Sequence, residues 1–426
     1  MYKISKYTFV RQIGMEYILA NTYTGAVGKI DANLYHKIGN GSSALKNLDQ
    51  ETWEILKSNG FIVPNSLDEY QRIIQGEKKA IFSQTDTLFL TISTSARCNY
   101  ACSYCFEPMG DQTNLPIMNH ETAYNVITYV KEKITSSIKK LVITWFGGEP
   151  LLGLDAIEKI SKVIIPFCDD NLVEYHAEII TNGYLLTAQS ARKLSEDYRI
   201  SSAQITIDGP EEIYEKIKQT PKGAYQRVLQ NIKDSSKFMK INIRLNIPEY
   251  FYPQMPNFID TLMLAIGNCN IKIYLAEVCD DWTDYCGKKE AKTTTYWIQN
   301  SQFIKYMKKK YPHALFTSKL PLAYCGMKCG MIKKHNITIG AKGELYRCVH
   351  MVGRDKEVIG TCTEGFYYNE ADCKFDEFEH PSICKDCIVF PICMTGCPND
   401  ILEGKMRAPC EMKRESIIQD LIKQAL

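Results

Sequence analysis

The spacing of apolar and polar positions changes twice along the chain, and these changes divide the sequence into three parts. Residues 1–84 carry short alternating runs, such as Tyr17 to Leu19 and Val27 to Ile30, followed by helical patterns that end near Gly60. Alternation with a period of two is typical of half-buried strands, and a period near 3.6 is typical of amphipathic helices. The pattern therefore predicts a small α+β module at the amino end.

The second part, residues 85–300, alternates apolar strand candidates with helical stretches such as Glu121 to Ile134, Ala188 to Asp197 and Ala224 to Ser236. The strand candidates are Thr87 to Thr94, Lys140 to Trp145, Glu174 to Thr181, Gln204 to Asp208, Lys240 to Asn246 and Ile271 to Val278. This rhythm indicates βαβ units and predicts an α/β fold. A partial (β/α)6 TIM-like barrel fits at least as well as an open sheet, and both place chemistry at the carboxyl ends of the strands.

The third part begins where this rhythm ends, after about Asp280. Residues 301–426 are rich in short turns, Gly and Cys. Such a segment offers few apolar residues for a core, so bound metal is its expected organiser. The pattern thus predicts three domains, comprising residues 1–84, 85–300 and 301–426.

The charge balance and the length of the apolar runs exclude two classes of partner. The 426 residues include 51 basic and 49 acidic residues, for a formal net charge of +2, so no large positive field exists to bind nucleic acid. No stretch approaches the roughly 18 apolar residues of a membrane span, and the segment after Met1 does not resemble a signal peptide. We therefore expect a soluble, cytoplasmic protein that binds neither nucleic acid nor membrane.

The 17 cysteines indicate metal binding, because disulfides do not persist in a reducing compartment. Cys98, Cys102 and Cys105 are spaced x3 and x2 directly after the first strand candidate. Three thiolates leave one metal position open, whereas a structural zinc or an ordinary cubane is closed by a fourth ligand. Buried or zinc-binding thiols are the alternative interpretation of this triplet.

This CxxxCxxC pattern, with Tyr104 before its last cysteine, resembles the motif of the radical S-adenosylmethionine superfamily. The resemblance implies a [4Fe-4S] cluster on the three cysteines, with S-adenosylmethionine on the fourth iron. It also implies that one electron, supplied by a flavodoxin- or ferredoxin-type reductant, cleaves the cofactor to a 5′-deoxyadenosyl radical. The protein would then contribute positioning and exclusion of water.

A second motif, Gly147-Gly148-Glu149-Pro150, follows the second strand candidate, where glycines allow a close approach of the backbone to a ligand. It resembles the GGEP motif of the same family, which binds the methionyl amino group of the cofactor. The weaker cofactor contacts expected beside it are Tyr104, Thr181, Asn182, Asp208, Arg244 and Asn246. Asp and Asn at strand ends also cap turns, so a purely structural role stays open for these residues.

The carboxyl-terminal cysteines have a regular spacing of their own, Cys384-x2-Cys387-x5-Cys393-x3-Cys397, with Cys410 after it and Gly343-x4-Cys348 before it. This order resembles the SPASM domain, which binds two auxiliary [4Fe-4S] clusters, and it implies three clusters in the chain. By the family pattern, one auxiliary cluster would take Cys325, Cys329, Cys348 and Cys397, and the other Cys384, Cys387, Cys393 and Cys410. Zinc is the chemical alternative, and without Cys325 the first auxiliary cluster would keep an open iron.

Residues 1–84 lie outside these motifs and bear on the substrate. Enzymes that mature ribosomally made peptides often begin with a winged-helix-like leader-recognition domain, and this module is similar in size and order. An exposed strand edge there could receive a leader peptide by β-addition; an unrelated capping module is the alternative. We therefore predict an oxidoreductase, similar to sactipeptide and ranthipeptide maturases, that takes a hydrogen from a precursor peptide or protein and forms a thioether or carbon-carbon crosslink.

Two other functions stay open. Anaerobic sulfatase-maturating enzymes oxidise a cysteine or serine of a protein to formylglycine, and they place a proposed general base, an aspartate, directly after the Gly-x4-Cys cysteine. This chain has Val349 followed by His350 at that point, which counts against that reaction. The other alternative, a multi-cluster electron carrier, has no need of the Gly147 to Pro150 motif.

Overall fold

The computed structural model describes residues 1–39, 45, 48–82, 86–107, 113–276, 293–316, 323–326, 329–333, 335–376, 378–404 and 410–422. The chain forms two compact units. The first, here called the cysteine-rich unit, comprises Met1–Ser83, Ser318–Lys333 and Glu377–Leu426. The second, the sheet unit, comprises Gln84–Thr317 and Lys334–Asp376.

The strands are β1 (Tyr2–Ile4), β2 (Thr8–Ile13), β3 (Glu16–Asn21), β4 (Val27–Ile30), β5 (Ile62–Pro64), β6 (Thr87–Ser95), β7 (Lys140–Gly147), β8 (Glu174–Thr181), β9 (Ile200–Ile207), β10 (Lys240–Leu245), β11 (Ile271–Leu275), β12 (Asn336–Ile339), β13 (Glu344–Tyr346), β14 (Gly360–Thr361) and β15 (Gly365–Phe366). The α-helices are α1 (Ala32–Gly39), α2 (Gln50–Ser58), α3 (Glu69–Phe82), α4 (His120–Lys133), α5 (Leu154–Asp170), α6 (Ala188–Glu196), α7 (Glu211–Lys218), α8 (Ala224–Ser235), α9 (Met255–Ile266), α10 (Thr293–Lys310), α11 (Glu370–Asp376), α12 (Phe390–Cys393), α13 (Pro398–Leu402) and α14 (Cys410–Ile422). None of the helices in the described part of the chain is both long enough and apolar enough to cross a membrane.

The sheet unit is built on one ten-stranded sheet, in the order β11-β10-β9-β8-β7-β6-β12-β13-β14-β15. Strands β6 to β11 run parallel to their neighbours. The six predicted strands are therefore confirmed, and the α/β fold with a parallel, partial-barrel core is confirmed with them. Residues 277 and 278, the predicted end of the sixth strand, lie outside the described residues. Strand β9 begins at Ile200, four residues earlier than predicted, because Ser201 and Ser202 interrupt the apolar pattern that marks its start.

Buried and less buried side chains alternate along these strands, and this alternation places the core on one face of the sheet. In β7, every second side chain is buried, among them Leu141, Ile143 and Trp145. The same period of two holds along β10, so one face of the sheet is apolar and packs against the helices in a single large core. Side-chain caps begin two of the helices, since Asn119 accepts a hydrogen bond from the N–H of Thr122 at α4, and Thr187 caps α6 in the same way.

Four short strands beyond the predicted six extend the sheet past β6. Strand β12 pairs in parallel with β6, and β13, β14 and β15 follow as antiparallel neighbours. With two to four residues each, they are too short to produce a recognisable alternation. The segment that the sequence assigned wholly to a metal-organised region thus contributes residues 336–366 to the sheet.

In the cysteine-rich unit, β2, β3 and β4 form a three-stranded antiparallel sheet, and β1 pairs with β5. Phe9 and Ile18 of this sheet pack against Val389, Ile418 and Leu421 in one apolar cluster. The amino-terminal module and the carboxyl-terminal cysteine segment therefore share a core. The division into residues 1–84, 85–300 and 301–426 stays a prediction.

Candidate active site and cluster ligands

The loop that carries Cys98, Cys102 and Cys105 follows β6 at the carboxyl edge of the parallel sheet. The loop and the last turn of α7 satisfy each other's backbone groups. The N–H of Ala101 donates to the carbonyl oxygen of Lys218 over 3.2 Å, and the N–H of Ser103 donates to the carbonyl oxygen of Ile217 over 3.0 Å. Since a helix end leaves carbonyls without intrahelical partners, these contacts fix the loop on α7.

The three thiols of this loop form a donor set suited to iron. Burial raises the pKa of Cys98 to about 12, and burial is also the main cause of the raised pKa of Cys102. Thiols in such surroundings ionise readily only beside a cation or a metal. Three thiolates on one loop fit a cluster that keeps one iron open to another ligand.

The Gly147-Gly148 turn lies directly against the entry to this loop. The N–H of Gly148 donates to the carbonyl oxygen of Ser95, and the N–H of Glu149 donates to that of Arg97, each over 2.9 Å. A Cβ on Gly148 would lie 2.6 Å from the Arg97 oxygen, and a Cβ on Gly147, whose φ is +133°, would lie 2.2 Å from the Ser95 oxygen. The close approach that requires glycine is therefore to the backbone that leads into Cys98.

Glu149 is completely buried and joins the ends of β7 and β8. Its Oε1 accepts hydrogen bonds from the N–H of Leu151 (3.0 Å) and the hydroxyl of Thr181 (2.7 Å), and its Oε2 accepts one from the N–H of Asn182 (2.8 Å). Burial raises the pKa of Glu149, although these hydrogen bonds act in the opposite direction. The carboxylate thus holds the second motif and the Thr181-Asn182 pair in one fixed arrangement.

Asn182 connects this arrangement to the cysteine loop. Its side-chain Nδ2 donates to Asn99 Oδ1 over 2.8 Å and lies 3.8 Å from the Sγ of Cys98, while its Oδ1 accepts from the N–H of Tyr184 over 2.9 Å. The predicted contacts Thr181 and Asn182 are therefore brought together with Gly148, Glu149 and Cys98.

Tyr104 and Asp208 meet in a buried group that also contains Lys218. The Tyr104 hydroxyl donates to Asp208 (3.0 Å to Oδ2), and the Lys218 ammonium lies 3.0 Å from the Tyr104 oxygen and 3.2 Å from Asp208 Oδ2. Burial raises the pKa of Asp208, and Lys218 and Tyr104 oppose this shift. Burial by itself lowers the pKa of Lys218, but Asp208, Tyr104, Cys102 and Tyr214 together outweigh it, so the pKa of Lys218 rises. We interpret this group as a buried ion pair that supports the cysteine loop.

No sequence pattern points to Lys218, because this residue stands at the end of an ordinary amphipathic helix. Arg244 and Asn246 form a separate pair, with Arg244 Nε donating to Asn246 Oδ1 over 3.0 Å. The charge of Arg244 acts on the pKa of Asp208, so this pair lies beside the buried group.

Glu107, two residues after the last cysteine of the loop, is a further feature that the sequence did not single out. Its side chain is buried, and its Oε1 has no hydrogen-bond partner among the described residues. Burial raises the pKa of Glu107 to about 7.

Within the cysteine-rich unit, the thiols of one predicted ligand set act on one another electrostatically. Cys387, Cys393 and Cys410 all contribute electrostatically to the raised pKa of Cys384, for which burial is the main cause. The four thiols of the second predicted auxiliary cluster are therefore neighbours. Cys397 acts in the same way on Cys329, whose pKa burial also raises.

The other predicted set is only partly described by these contacts. Cys325 is exposed and lies near Cys329 in sequence, and Cys348 follows β13 in the sheet unit. The grouping of Cys325, Cys329, Cys348 and Cys397 stays a prediction. Among the residues described, no group of three or more His, Cys, Asp or Glu side chains is placed to hold a metal ion.

Part of the sheet unit matches a known protein family. Residues 92–260 match the family model described as Radical SAM superfamily. The chain is 28% identical over 218 residues to a protein of Paramaledivibacter caminithermalis named radical SAM cyclopropyl synthase TigE. This match covers 45% of this chain and 43% of that protein. It is 32% identical over 142 residues to the GTP 3′,8-cyclase of Sulfurimonas denitrificans, and this match covers 33% of this chain and 37% of that protein. The chain thus matches less than half the length of these curated relatives.

Two solved structures share the fold over more of the chain. The enzyme anSMEcpe with bound AdoMet superposes with a TM-score of 0.62 at 19% identity, covering 79% of this chain and 98% of that one. SuiB of Streptococcus suis, solved with its precursor peptide SuiA, superposes with a TM-score of 0.54 at 16% identity, covering 96% of this chain and 98% of that one.

Proposed function

With residues 92–260 forming a radical S-adenosylmethionine domain, which implies that cofactor and a [4Fe-4S] cluster, we propose that this chain is a peptide maturase. In this proposal it removes a hydrogen from a precursor peptide and forms a thioether or carbon-carbon crosslink. The observation that carries the proposal is the convergence of the cysteine loop, the Gly147-Gly148 turn and the Thr181-Asn182 pair at the carboxyl edge of the sheet. A binding site at this edge is the general position for chemistry in parallel α/β proteins.

In this proposal, the residues at this edge have separate roles in binding the cluster and the cofactor. Cys98, Cys102 and Cys105 would hold the cluster, and the backbone around Gly147 would face the amino group of the cofactor. When bound, the cluster and the cofactor together supply the one-electron chemistry that generates a hydrogen-abstracting radical. Tyr104, held by Asp208 and Lys218, would orient the loop, and its ring would border the adenine.

The auxiliary cysteines would complete the redox chemistry. Crosslink formation removes two hydrogens from the peptide, so an electron and a proton must leave the substrate after the first hydrogen atom is taken. The auxiliary cysteines would hold two clusters, which would supply an acceptor for this electron and a path for it towards a flavodoxin- or ferredoxin-type reductant. The proximity of Cys387, Cys393 and Cys410 to Cys384 supports the second of these clusters.

A peptide substrate is supported by the amino-terminal module. It contains a three-stranded antiparallel sheet in which β4 is an edge strand, and edge strands bind extended peptides by β-addition. SuiB, which has the same fold, was solved with a precursor peptide, and anSMEcpe was solved with a peptide named Cp18Cys.

The test uses reconstituted, reduced protein, S-adenosylmethionine and, as substrate, a short peptide whose gene is adjacent to the gene of this chain. We expect 5′-deoxyadenosine, together with a peptide that has lost two hydrogens and carries a crosslink in tandem mass spectra. Cys98→Ala should abolish both products, whereas Cys373→Ala, which changes an exposed cysteine outside the motifs, should leave them unchanged. Formation of 5′-deoxyadenosine without any change in the peptide would reject the crosslinking reaction.

A sulfatase-maturase-type reaction is the second candidate, because the fold is shared with anSMEcpe. The ring of His350 lies 4.2 Å from that of Phe106, next to Cys105, so the segment after Cys348 borders the cysteine loop. An aldehyde in the product, detected with a hydrazide probe, would favour this reaction over crosslinking. A protein that yields no 5′-deoxyadenosine at all would instead be an electron carrier.

A further inference from the structure

A chain of hydrogen bonds in the cysteine-rich unit ends at Cys384. His380 Nε2 lies 2.7 Å from Oε2 of Glu77 on α3, and His380 Nδ1 bonds the hydroxyl of Thr395. The same hydroxyl lies 3.8 Å from the Sγ of Cys384. Four side chains are thus joined in a single line, and one of them, Glu77, lies 303 residues before His380 in the sequence.

This chain is shielded from water. The side chain of His380 is 3% exposed and that of Glu77 is 9% exposed. The imidazole is also enclosed by the rings of Phe378 and Phe390, which meet it edge to face at centroid distances of 5.1 and 4.9 Å. Hydrogen bonds in such surroundings are stronger than at the surface, and leaving one of them unmade is more costly.

The backbone at Thr395 is strained in a way that aims its hydroxyl. Thr395 has a φ of +65° and Met394 a φ of +44°. A β-branched residue is rarely found in the left-handed region, and such strain persists where the surroundings impose it, often at functional sites. Here the strained turn lies between Cys393 and Cys397 and directs Thr395 towards both His380 and Cys384.

The hydrogen bonds of Thr395 have a fixed direction when Cys384 is a thiolate ligand. A thiolate has no proton to give, so the hydroxyl hydrogen of Thr395 must point to the sulfur. His380 Nδ1 must then donate to the Thr395 oxygen. The other ring nitrogen, Nε2, lies against the Glu77 carboxylate, which fixes the orientation of the ring.

We propose that Glu77 and His380 are positioning residues that hold the Thr395 hydroxyl towards Cys384 and thereby raise the reduction potential of the auxiliary cluster that Cys384 binds. The inference rests on the proposed function, because it concerns one of the proposed clusters. Reduction adds negative charge to the cluster, and hydrogen bonds to its sulfur ligands stabilise that charge. Because Glu77 belongs to the amino-terminal module, the relay also connects that module to the cluster.

The test is a redox titration of the reconstituted holoprotein followed by electron paramagnetic resonance. Thr395→Val removes the hydroxyl at nearly constant volume, so the midpoint potential of one auxiliary cluster should become more negative. Thr395→Ser keeps the hydroxyl and should retain the wild-type potential. The cluster on Cys98, Cys102 and Cys105, recognised by the response of its spectrum to S-adenosylmethionine, serves as the internal reference and should not move.

Glu77→Gln tests whether the relay acts through Thr395. A Gln amide is a weaker hydrogen-bond partner than a carboxylate, so the ring of His380 is held less firmly and the Thr395 hydroxyl is directed less towards the sulfur. Glu77→Gln should therefore shift the same potential in the same direction, and the double variant with Thr395→Val should shift it no further than Thr395→Val alone. Glu69→Gln is the matched control, since Glu69 is also buried on α3 but bonds Ser5 and Lys6.

Four results would overturn the proposal. Unchanged potentials in Thr395→Val would reject the hydrogen bond, and additive shifts in the double variant would reject the relay. An equal shift in Glu69→Gln would mean that the potential responds to general disturbance of α3. Wild-type protein that binds about four iron atoms per chain, rather than the roughly twelve of three cubanes, would overturn the proposed auxiliary clusters as well as the relay.

Discussion

Gly148 stands where strand β7 ends against the backbone that leads into Cys98. A Cβ there would lie 2.6 Å from the oxygen and 2.8 Å from the carbon of the Arg97 carbonyl, and backbone atoms cannot move aside as a flexible side chain can. We predict that Gly148→Ala displaces the cysteine loop, at a cost of about 1–3 kcal/mol in stability. Reconstituted Gly148→Ala should lack about four of about twelve iron atoms, as measured by iron analysis.

The control for this substitution is Gly28→Ala, because a Cβ at Gly28 would meet nothing within 4 Å. It should retain the full iron content. A Gly148→Ala protein with wild-type iron and wild-type binding of S-adenosylmethionine would mean that the loop tolerates the displacement.

At the scale of single residues, the sequence predicted those site members that have a fixed spacing from one another. Cys98, Cys102 and Cys105 are recognisable because a cluster needs its ligands on one short loop. Lys218 was not recognisable, because its partner Tyr104 lies 114 residues away. The same holds for His380 and Glu77, which are 303 residues apart. Contacts between residues so far apart in the sequence arise from the fold and leave no local sequence pattern.

Among the elements, long strands with a strict alternation were predictable and short ones were not. Strands β6 to β8 have eight or nine residues, enough for the period of two to stand out. Strands β12 to β15 are two to four residues long. In strands this short, an alternation of apolar and polar residues cannot be recognised. The extension of the sheet beyond β6 therefore required the structure.

A polar clamp joins helices α9 and α10 and gives a prediction at this scale. Asp260 accepts hydrogen bonds from Lys310 (2.6 Å), Tyr306 (2.5 Å) and Tyr311 (2.8 Å), and the first two are the main reasons why its pKa falls to about 2. The clamp is partly exposed, with side-chain exposures of 35% for Asp260 and 48% for Lys310. We therefore predict that Asp260→Asn costs only about 0.5–1 kcal/mol at pH 7.

The pH dependence of this effect has a defined sign. The pKa of Asp260 in the folded chain lies below the value of about 3.9 of an unfolded Asp, so its stabilising contribution is complete above pH 4 and is lost as pH falls towards 2. Urea unfolding of the cluster-free chain should therefore show a larger difference between wild type and Asp260→Asn at pH 7 than at pH 3. A difference that stays constant between these pH values would assign the effect to packing instead of charge.

At the scale of the whole molecule, the apolar cores of the two compact units differ in size. The sheet unit has one continuous core of strands and helices, which Cys98 and Cys102 border. The described clusters of the cysteine-rich unit are smaller: Cys387 and Cys393 border one of them, and Cys384 is itself a member of another, beside Phe390. Burial raises the pKa of Cys384 and so favours its neutral thiol. After loss of iron, no metal would hold the cysteine side chains of these clusters in place.

We therefore predict that removal of iron under reducing conditions unfolds the cysteine-rich unit locally while the sheet unit persists. Metal binding at structural sites contributes on the order of 10 kcal/mol in zinc fingers, more than a small core can replace. Hydrogen exchange should accelerate in residues 384–397 and in β2 and β3, whereas β7 to β9 remain protected. A triple variant, Cys98→Ala with Cys102→Ala and Cys105→Ala, removes only the cluster of the sheet unit and should leave the cysteine-rich unit protected. Faster exchange in β7 to β9 than in residues 384–397 after iron removal would reverse this assignment and make the sheet unit the metal-dependent part of the molecule.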